Sequence, residues 1–406
     1  MNDILQAAKA LESQIIADRR HLHQIPEVGM ELPESAAYIK KRLDEMGIAY
    51  RDCGVMPDEL AQKYVDLGYE RMHSSTGIVA TIGSGAPCFL LRADFDALPI
   101  EEINDLPFRS TRKCSHMCGH DAHAAMLLGA AKLLKEREGE LKGTVKLMFQ
   151  PGEERGAGSK TMVDDGLLEN PKVDAAMAIH IMSTTELGKV TYSVGVASSS
   201  LDTFVIRIQG KGGHTSTPQL CIDPLMIANQ IYTALNLLMT REVSPSATAT
   251  LSVGIMRSGT ASNVLPDTAE LKLGMRTYDK EARAHILERI PQIVEHYTAA
   301  WRGSCHITTF CCPCTYTDAA VTGDILPAVQ AVAGEGNVLE TPPMAGTEDF
   351  GYVTEEVPGV FLLLGAGGPD AYPHHNPRMT LDESVFYKGA ALYASCAMEW
   401  LRKHGG

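Results

Sequence analysis

Residues 121–154 read DAHAAMLLGAAKLLKEREGELKGTVKLMFQPGEE. Met126, Ala130, Leu133 and Leu134 recur at helical spacing, so a helix is predicted to start at Asp121. Thr144 to Phe149 is an apolar run of strand length that feeds straight into Gln150-Pro-Gly-Glu-Glu154. Upstream, Cys88-Phe-Leu-Leu-Arg92 is a second such run, ending at RADFDALP. Strand, helix, strand with charged residues at the strand ends is the pattern of an open α/β sheet. Such sheets gather their functional groups at the carboxyl ends of strands.

The pattern extends in both directions. Helices are expected over residues 4–23 and 33–46. Near residue 200 the texture changes: Asp202 to Gln209 (DTFVIRIQ) alternates like a half-buried strand, and Asp223-Pro224 makes an N-cap and first-turn pair. The helix it opens carries Ile227, Ile231, Ala234, Leu235 and Leu238 on one face. Strands near 248–256 and 267–276 follow, then a helix over 279–299 interrupted by Pro291. With residues 304–311 as the last strand, the order is β-α-β-β-α-β, which is ferredoxin-like. The expected architecture is therefore α/β, an open mixed-sheet domain of residues 1–196 and 306–406 with an α+β domain inserted at 197–305. VFLLLGAG (360–367) and a final helix close the sheet domain.

Composition narrows the function classes. A chain of 406 residues with 45% hydrophobic and 21% charged residues has room for more than one domain and a sizeable core. A net charge of -14 and a pI near 5.5 argue against a nucleic-acid partner, which needs clustered Lys and Arg. The opening MNDILQAAKALESQIIADRR has no apolar signal-peptide core. The longest weakly polar run, 224–240, carries Asn229, Gln230 and Asn236, so it reads as an amphipathic helix and no membrane span is expected. Ten cysteines at irregular spacings make no disulfide framework, and a reduced, cytoplasmic protein is expected.

Lys113 to His123, KCSHMCGHDAH, holds two cysteines, three histidines and an aspartate. Gly119 lets the turn before the helix fold tightly, so that Cys118 and His120 can converge on one ion. Metal ligands and structural polar residues both remain open for this pair. Glu153-Glu154 reads either as a solvated loop or as one metal carboxylate beside one free general base. His180, at an expected strand end, is a core histidine or a ligand; His374-His375 precedes Asn376-Pro377 in a late loop. Together these residues supply thiolate, imidazole and carboxylate at element boundaries of one domain, a set that suits zinc, manganese, cobalt or nickel. Five such ligands exceed the needs of one tetrahedral ion and point to two divalent ions.

RRHLHQIPEVGMELPES (19–35), RADFDALPIEE (92–102), HMCGHDAHAAMLLGAA (116–131) and FQPGEERGAGSKTMVDDG (149–166) resemble the M20 amidohydrolases. So do IQGKGGHTSTP (208–218), SNVLPDTAELKLGMR (262–276) and GTEDFGYV (346–353), in the same order along nearly the whole chain. The nearest branch holds aminoacylases, hippurate hydrolases and auxin-conjugate hydrolases. The resemblance implies a metal-binding domain with an inserted lid that also makes a homodimer. It implies Cys118, His120, Glu154, His180 and His375 as ligands, with Cys118 bridging two ions, and Glu153 as general acid/base. The wider family has His-x-Asp where this chain has Arg92-Ala-Asp94, so Arg92 is no ligand and Asp94 is expected to orient a ligating imidazole. His116 and His123 are implied as supports, and Asp121 as either the helix N-cap or a ligand's partner. His214 is implied as an oxyanion-stabilising residue reaching the partner subunit's site, and Asn263 and Arg276 as the grip on a substrate carboxylate.

Three departures concern the substrate. Gln219 follows Pro218 where the branch usually has His, and Ile-Met-Ser follows His180 without the usual aromatic and proline. The segment 56–72 (MPDELAQKYVDLGYERM) is longer than the usual connection and is expected at the substrate mouth. The resulting expectation is an N-acyl amino acid hydrolase. A metallocarboxypeptidase or dipeptidase on the same scaffold is the nearest alternative, and a non-catalytic metal-binding sensor the alternative of another class.

Overall fold

The structure is a computed structural model that describes residues 2–406. Its larger sheet has eight strands in the order 49–52, 78–83, 144–150, 88–94, 175–186, 359–367, 190–192, 338–340. The four central strands run parallel, while 49–52 and 78–83 pair antiparallel at one edge. Strands Cys88–Asp94 and Thr144–Gln150 are buried at every residue, as expected of parallel strands covered on both faces. On one face pack helices His120–Glu136 and Phe386–His404, in a core with Phe89, Leu91 and Leu147. On the other face, Leu90, Met148 and Ala178 meet Met162, Phe350 and Val353.

The second sheet has strands Leu201–Gln209, Ala249–Ser258, Thr268–Thr277 and Ser304–Cys312, all antiparallel. Numbered by sequence, their spatial order is 4-1-3-2, the ferredoxin-like arrangement. Helices Pro224–Arg241 and Lys280–Ala300 cover one face, burying Ile227, Ile231, Leu235, Ile290 and Val294 against Phe204, Ile206 and Leu271. Asp223 caps the first helix, accepting from the backbone N–H of Leu225 and Met226.

Four expectations need correction. A boundary at residue 305 would cut the last strand, because Ser304–Cys312 pairs throughout with Leu201–Gln209 and the smaller unit runs on to 312. The opening helix is two helices, Asn2–Ala10 and Glu12–Gln24. His180 is not at a strand end: strand Ala175–Glu186 continues beyond it because Gly359–Gly367 keeps pairing with it to Glu186. Gly119, at φ +84, occupies the N-cap position of helix His120–Glu136, which places Asp121 inside the first turn. The Asp121 carboxylate is bound by Arg19 and His23.

Candidate active site

A cavity of about 510 Å³ is lined by residues of the larger-sheet domain on one side and by the four-stranded sheet on the other. Its lining includes Cys118, Glu153, Glu154, His180, His374 and His375. Gly119 is what lets Cys118 and His120 turn in together. Its positive φ suits glycine, and a Cβ there would stand 2.7 Å from Ile181 Cγ2.

His120 Nε2 is the hub of the site. It lies 3.6 Å from Asp94 Oδ2, 3.9 Å from Glu153 Oε2 and 4.0 Å from Glu154 Oε1. Cys118 Sγ lies 3.6 Å from His180 Nε2, and His375 Nε2 lies 3.2 Å from Glu154 Oε1. Ligand atoms of Cys118, His120 and His180, and those of Cys118, Glu154 and His375, lie within 4.8 Å of one another. His375 holds a left-handed backbone, φ +64, a strain concentrated where its ring meets Glu154. His180 Nδ1 donates to the Ile181 carbonyl at 2.7 Å, leaving Nε2 as the acceptor that faces Cys118.

The donors fit a metal centre. His120 Nε2 is buried without a hydrogen-bond partner while Asp94, Glu153 and Glu154 oxygens stand 3.6–4.0 Å away, a costly arrangement that an ion among them would relieve. Thiolate, imidazole and carboxylate in one cluster match the preferences of borderline divalent cations.

The electrostatics separate the two glutamates. Burial, then the charges of Glu348, Glu154 and Asp349, raises the Glu153 carboxyl well above the usual range. Burial also opposes ionisation of Glu154, but the hydrogen bond with His375 and the charge of His120 outweigh it and hold Glu154 low. Adjacent carboxyls pushed apart in this way suit different tasks, Glu153 proton transfer and Glu154 carrying charge.

The supporting residues only partly match expectation. His123 Nε2 accepts from the Ile181 N–H at 2.8 Å and its Nδ1 donates to Asp94 at 2.5 Å, so both nitrogens are in use. Asp94 therefore orients His123, while Asp96 faces His120 Nδ1 at 3.2 Å. Asp96 also accepts the backbone N–H groups of Glu153 and Glu154, each at 3.1 Å. It thus ties the imidazole to the carboxylate turn, a role the sequence reading of RADFDALP missed. Its signal was a second acid two residues beyond a buried strand acid. His374 Nε2 accepts from the Ser183 N–H at 3.1 Å, and burial holds its ring down at about 4. Burial likewise lowers His116 to about 4, and neither of its ring nitrogens has a partner.

Arg92 is fully buried and binds Asp94, Glu348, Asp349 and Gln150. Glu348 and Asp349 line the cavity beside Glu153. Neither was singled out from the sequence, because only the fold brings 348–349 to strand 88–94.

Of the remaining expected residues, Arg276 lines the cavity and its Nη1 donates to Thr347 Oγ1 at 2.7 Å. His214 and Asn263 do not line it. They sit side by side on an exposed arm, where residues 213–214 pair with 264–265 and the Thr215 N–H reaches the Asn263 carbonyl. Segment 56–72 folds as helix Asp58–Leu67 and its continuation, and Tyr64, Leu67 and Tyr69 line the cavity.

The sequence profile of peptidase family M20/M25/M40 matches residues 90–399. The chain belongs to that family. It is a hydrolytic enzyme that acts on amides. N-acetyl-L-cysteine deacetylase of Bacillus subtilis (strain 168) is 37% identical, over 95% of this chain and 88% of its own. IAA-amino acid hydrolase ILR1-like 4 of Arabidopsis thaliana is 34% identical, over 95% of this chain and 86% of its own. Among solved M20 structures, the Bacillus subtilis YXEP protein, described as a dinuclear metal-binding peptidase, superposes with a TM-score of 0.75 at 30% identity. That match covers 97% of this chain and 99% of the other. No helix among the described residues is long and apolar enough to cross a membrane.

Proposed function

We propose that this M20 protein hydrolyses the amide bond of N-acyl amino acids, releasing a carboxylic acid and an amino acid. The observation that carries the reading is geometric: Glu153 and Glu154 stand 3.9 and 4.0 Å from His120 Nε2, beside clustered ligand atoms of Cys118, His180 and His375. Cys118, His120, Glu154, His180 and His375 would hold two divalent ions, manganese or zinc, which when bound acidify a water and polarise the scissile carbonyl.

The chain's own groups carry the rest. Glu153 accepts the proton of the attacking water and returns it to the leaving amine. Burial and its acidic neighbours raise its affinity for a proton, which suits Glu153 to the accepting step. Asp96 fixes His120 and the backbone of the glutamate turn, and Asp94 fixes His123. Arg276 offers a forked cation to the substrate carboxylate. His214 and Asn263, exposed on their arm, would complete the site of a second copy. Exposed apolar side chains on the same unit, Tyr232 and Leu237 on helix Pro224–Arg241 and Ile255 and Met256 on strand Ala249–Ser258, support a homodimer. Ten unpaired thiols suit a reducing, cytoplasmic setting.

The test is a substrate panel. Protein loaded with Mn²⁺ or Zn²⁺ should turn over N-acyl amino acids faster than dipeptides, and a chelator should abolish the activity. Faster cleavage of dipeptides would favour the peptidase alternative, and no turnover at full metal loading the sensor. The shared-site reading has its own check. Glu153→Ala and His214→Ala proteins, each nearly inactive alone, should regain up to about a quarter of wild-type activity when their subunits are mixed, because half the dimers then hold one intact site. Absence of any rescue despite subunit exchange would place His214 outside the partner's site.

A further inference from the structure

One face of the four-stranded sheet roofs the cavity. Along strand Thr268–Thr277 side chains alternate, so Leu271, Leu273 and Met275 are buried against the helices while Lys272, Gly274 and Arg276 share the other face. Lys272 and Arg276 both line the cavity, and a Cβ on the intervening Gly274 would meet nothing within 4 Å. The open track between the two cations is about 13 Å along the backbone, and flexible side chains can shorten the distance between their charges.

The far end of the track is closed by the helix at Asp58–Leu67 and the residues after it. Lys272 Nζ lies 3.9 Å from where a Cβ of Gly68 would stand. The Arg155 guanidinium stacks 4.6 Å from the centre of the Tyr69 ring, and Tyr64 packs against both Tyr69 and Phe310. Tyr64 also donates to the Arg155 carbonyl at 2.9 Å, anchoring this wall to the glutamate turn.

The charges in the cavity are unevenly satisfied. Glu348 and Asp349 are held by Arg92, and Glu154 by His375. Among the described residues, by contrast, Arg155, Lys272 and Arg276 have no carboxylate within the 4.0 Å of an ion pair. An ordinary reading of Lys272 is a cation near the C-terminal end of helix Asp58–Leu67. Its ammonium, however, makes no hydrogen bond to the carbonyls there, and Lys272 lines the same cavity as Arg155.

We infer that Lys272 and Arg155 form a second anion-binding subsite, so that the cavity selects amides carrying a second carboxylate remote from the scissile bond. The inference rests on the reading in which Arg276 takes the α-carboxylate next to that bond. The second carboxylate belongs either to the end of the acyl group or to the amino acid's side chain, and both would reach the Lys272 end over Gly274. A charge-assisted contact with two cations should raise kcat/KM by about tenfold or more over a neutral isostere, chiefly through KM.

The experiment compares matched pairs on the metal-loaded enzyme. N-succinyl-L-leucine is set against its succinamide analogue for the acyl end, and N-acetyl-L-glutamate against N-acetyl-L-glutamine for the side chain. The expected result is a preference for the anion in at least one pair, which Lys272→Met and Arg155→Met each cut toward a ratio of one and Lys272→Glu reverses. If these substrates are cleaved without preference for the anion, the subsite is overturned and the amidohydrolase reading stands. If a preference persists in both methionine variants, the anion is bound elsewhere and the assignment fails. If no N-acyl amino acid is cleaved at all, the reading beneath the inference fails with it.

Discussion

Glu153→Ala should retain its metal and its thermal unfolding transition while losing turnover by roughly 10²–10⁴-fold. The side chain hydrogen-bonds no backbone group and holds no helix end, so its loss removes a proton carrier and little structure. Burial and three neighbouring carboxyls already make its charged form costly, so removing it relieves repulsion within the site. Metal content by elemental analysis and calorimetry of the same preparation would separate this outcome from misfolding. A variant that lost its metal with its activity would mark Glu153 as a ligand, and one that kept its activity would remove it from the mechanism. Glu154→Ala should behave differently, because Glu154 is the carboxylate kept ionised by His375 and grouped with Cys118.

Arg92→Ala should be the most destabilising single change at the site, by about 3–5 kcal/mol, because it strips the cation from a fully buried set of acids. Asp94 lies 3.0 Å, Glu348 2.7 Å and Asp349 3.1 Å from the guanidinium. Burial already holds Asp349 up at about 8 with Arg92 in place. Without Arg92 these carboxyls keep protons in the folded state at pH values where the wild type ionises them. The folded variant then binds more protons than the folded wild type while the unfolded chains bind equally, so the deficit grows as pH rises. Denaturant unfolding at two pH values would measure it. Equal midpoints for variant and wild type would show that water or backbone groups replace the guanidinium. Arg92→Lys should recover only part of the loss, since an ammonium cannot reproduce the fork that bonds Glu348 and Gln150 together.

Much of the fold was legible because hydrophobic periodicity follows local geometry. Strands Cys88–Asp94 and Thr144–Gln150, helix Pro224–Arg241 with its Asp223 cap, and the ferredoxin-like order all appear as local patterns. Element ends were less legible. Strand Ala175–Glu186 overruns its apolar segment and Ser304–Cys312 runs past the expected boundary, because a pairing partner elsewhere in the chain decides where a strand stops.

The same division holds at the site. The chemical inventory was present as residue types in the sequence: Cys118 and His120 about a glycine turn, the Glu153-Glu154 pair, His180 and His375. Asp96 in place of Asp94 as the partner of His120, the clamp of Arg92 on Glu348 and Asp349, and the wall built by Tyr64 and Tyr69 came from packing. None of these has a local signature, since a buried carboxylate or guanidinium is defined by the distant group that neutralises it. By itself the sequence determined which elements form, that they make an α/β domain with an insert, and which chemistry the motifs carry. Only the tertiary structure decided which acid meets which base, because desolvation and charge act through space between residues that are far apart along the chain.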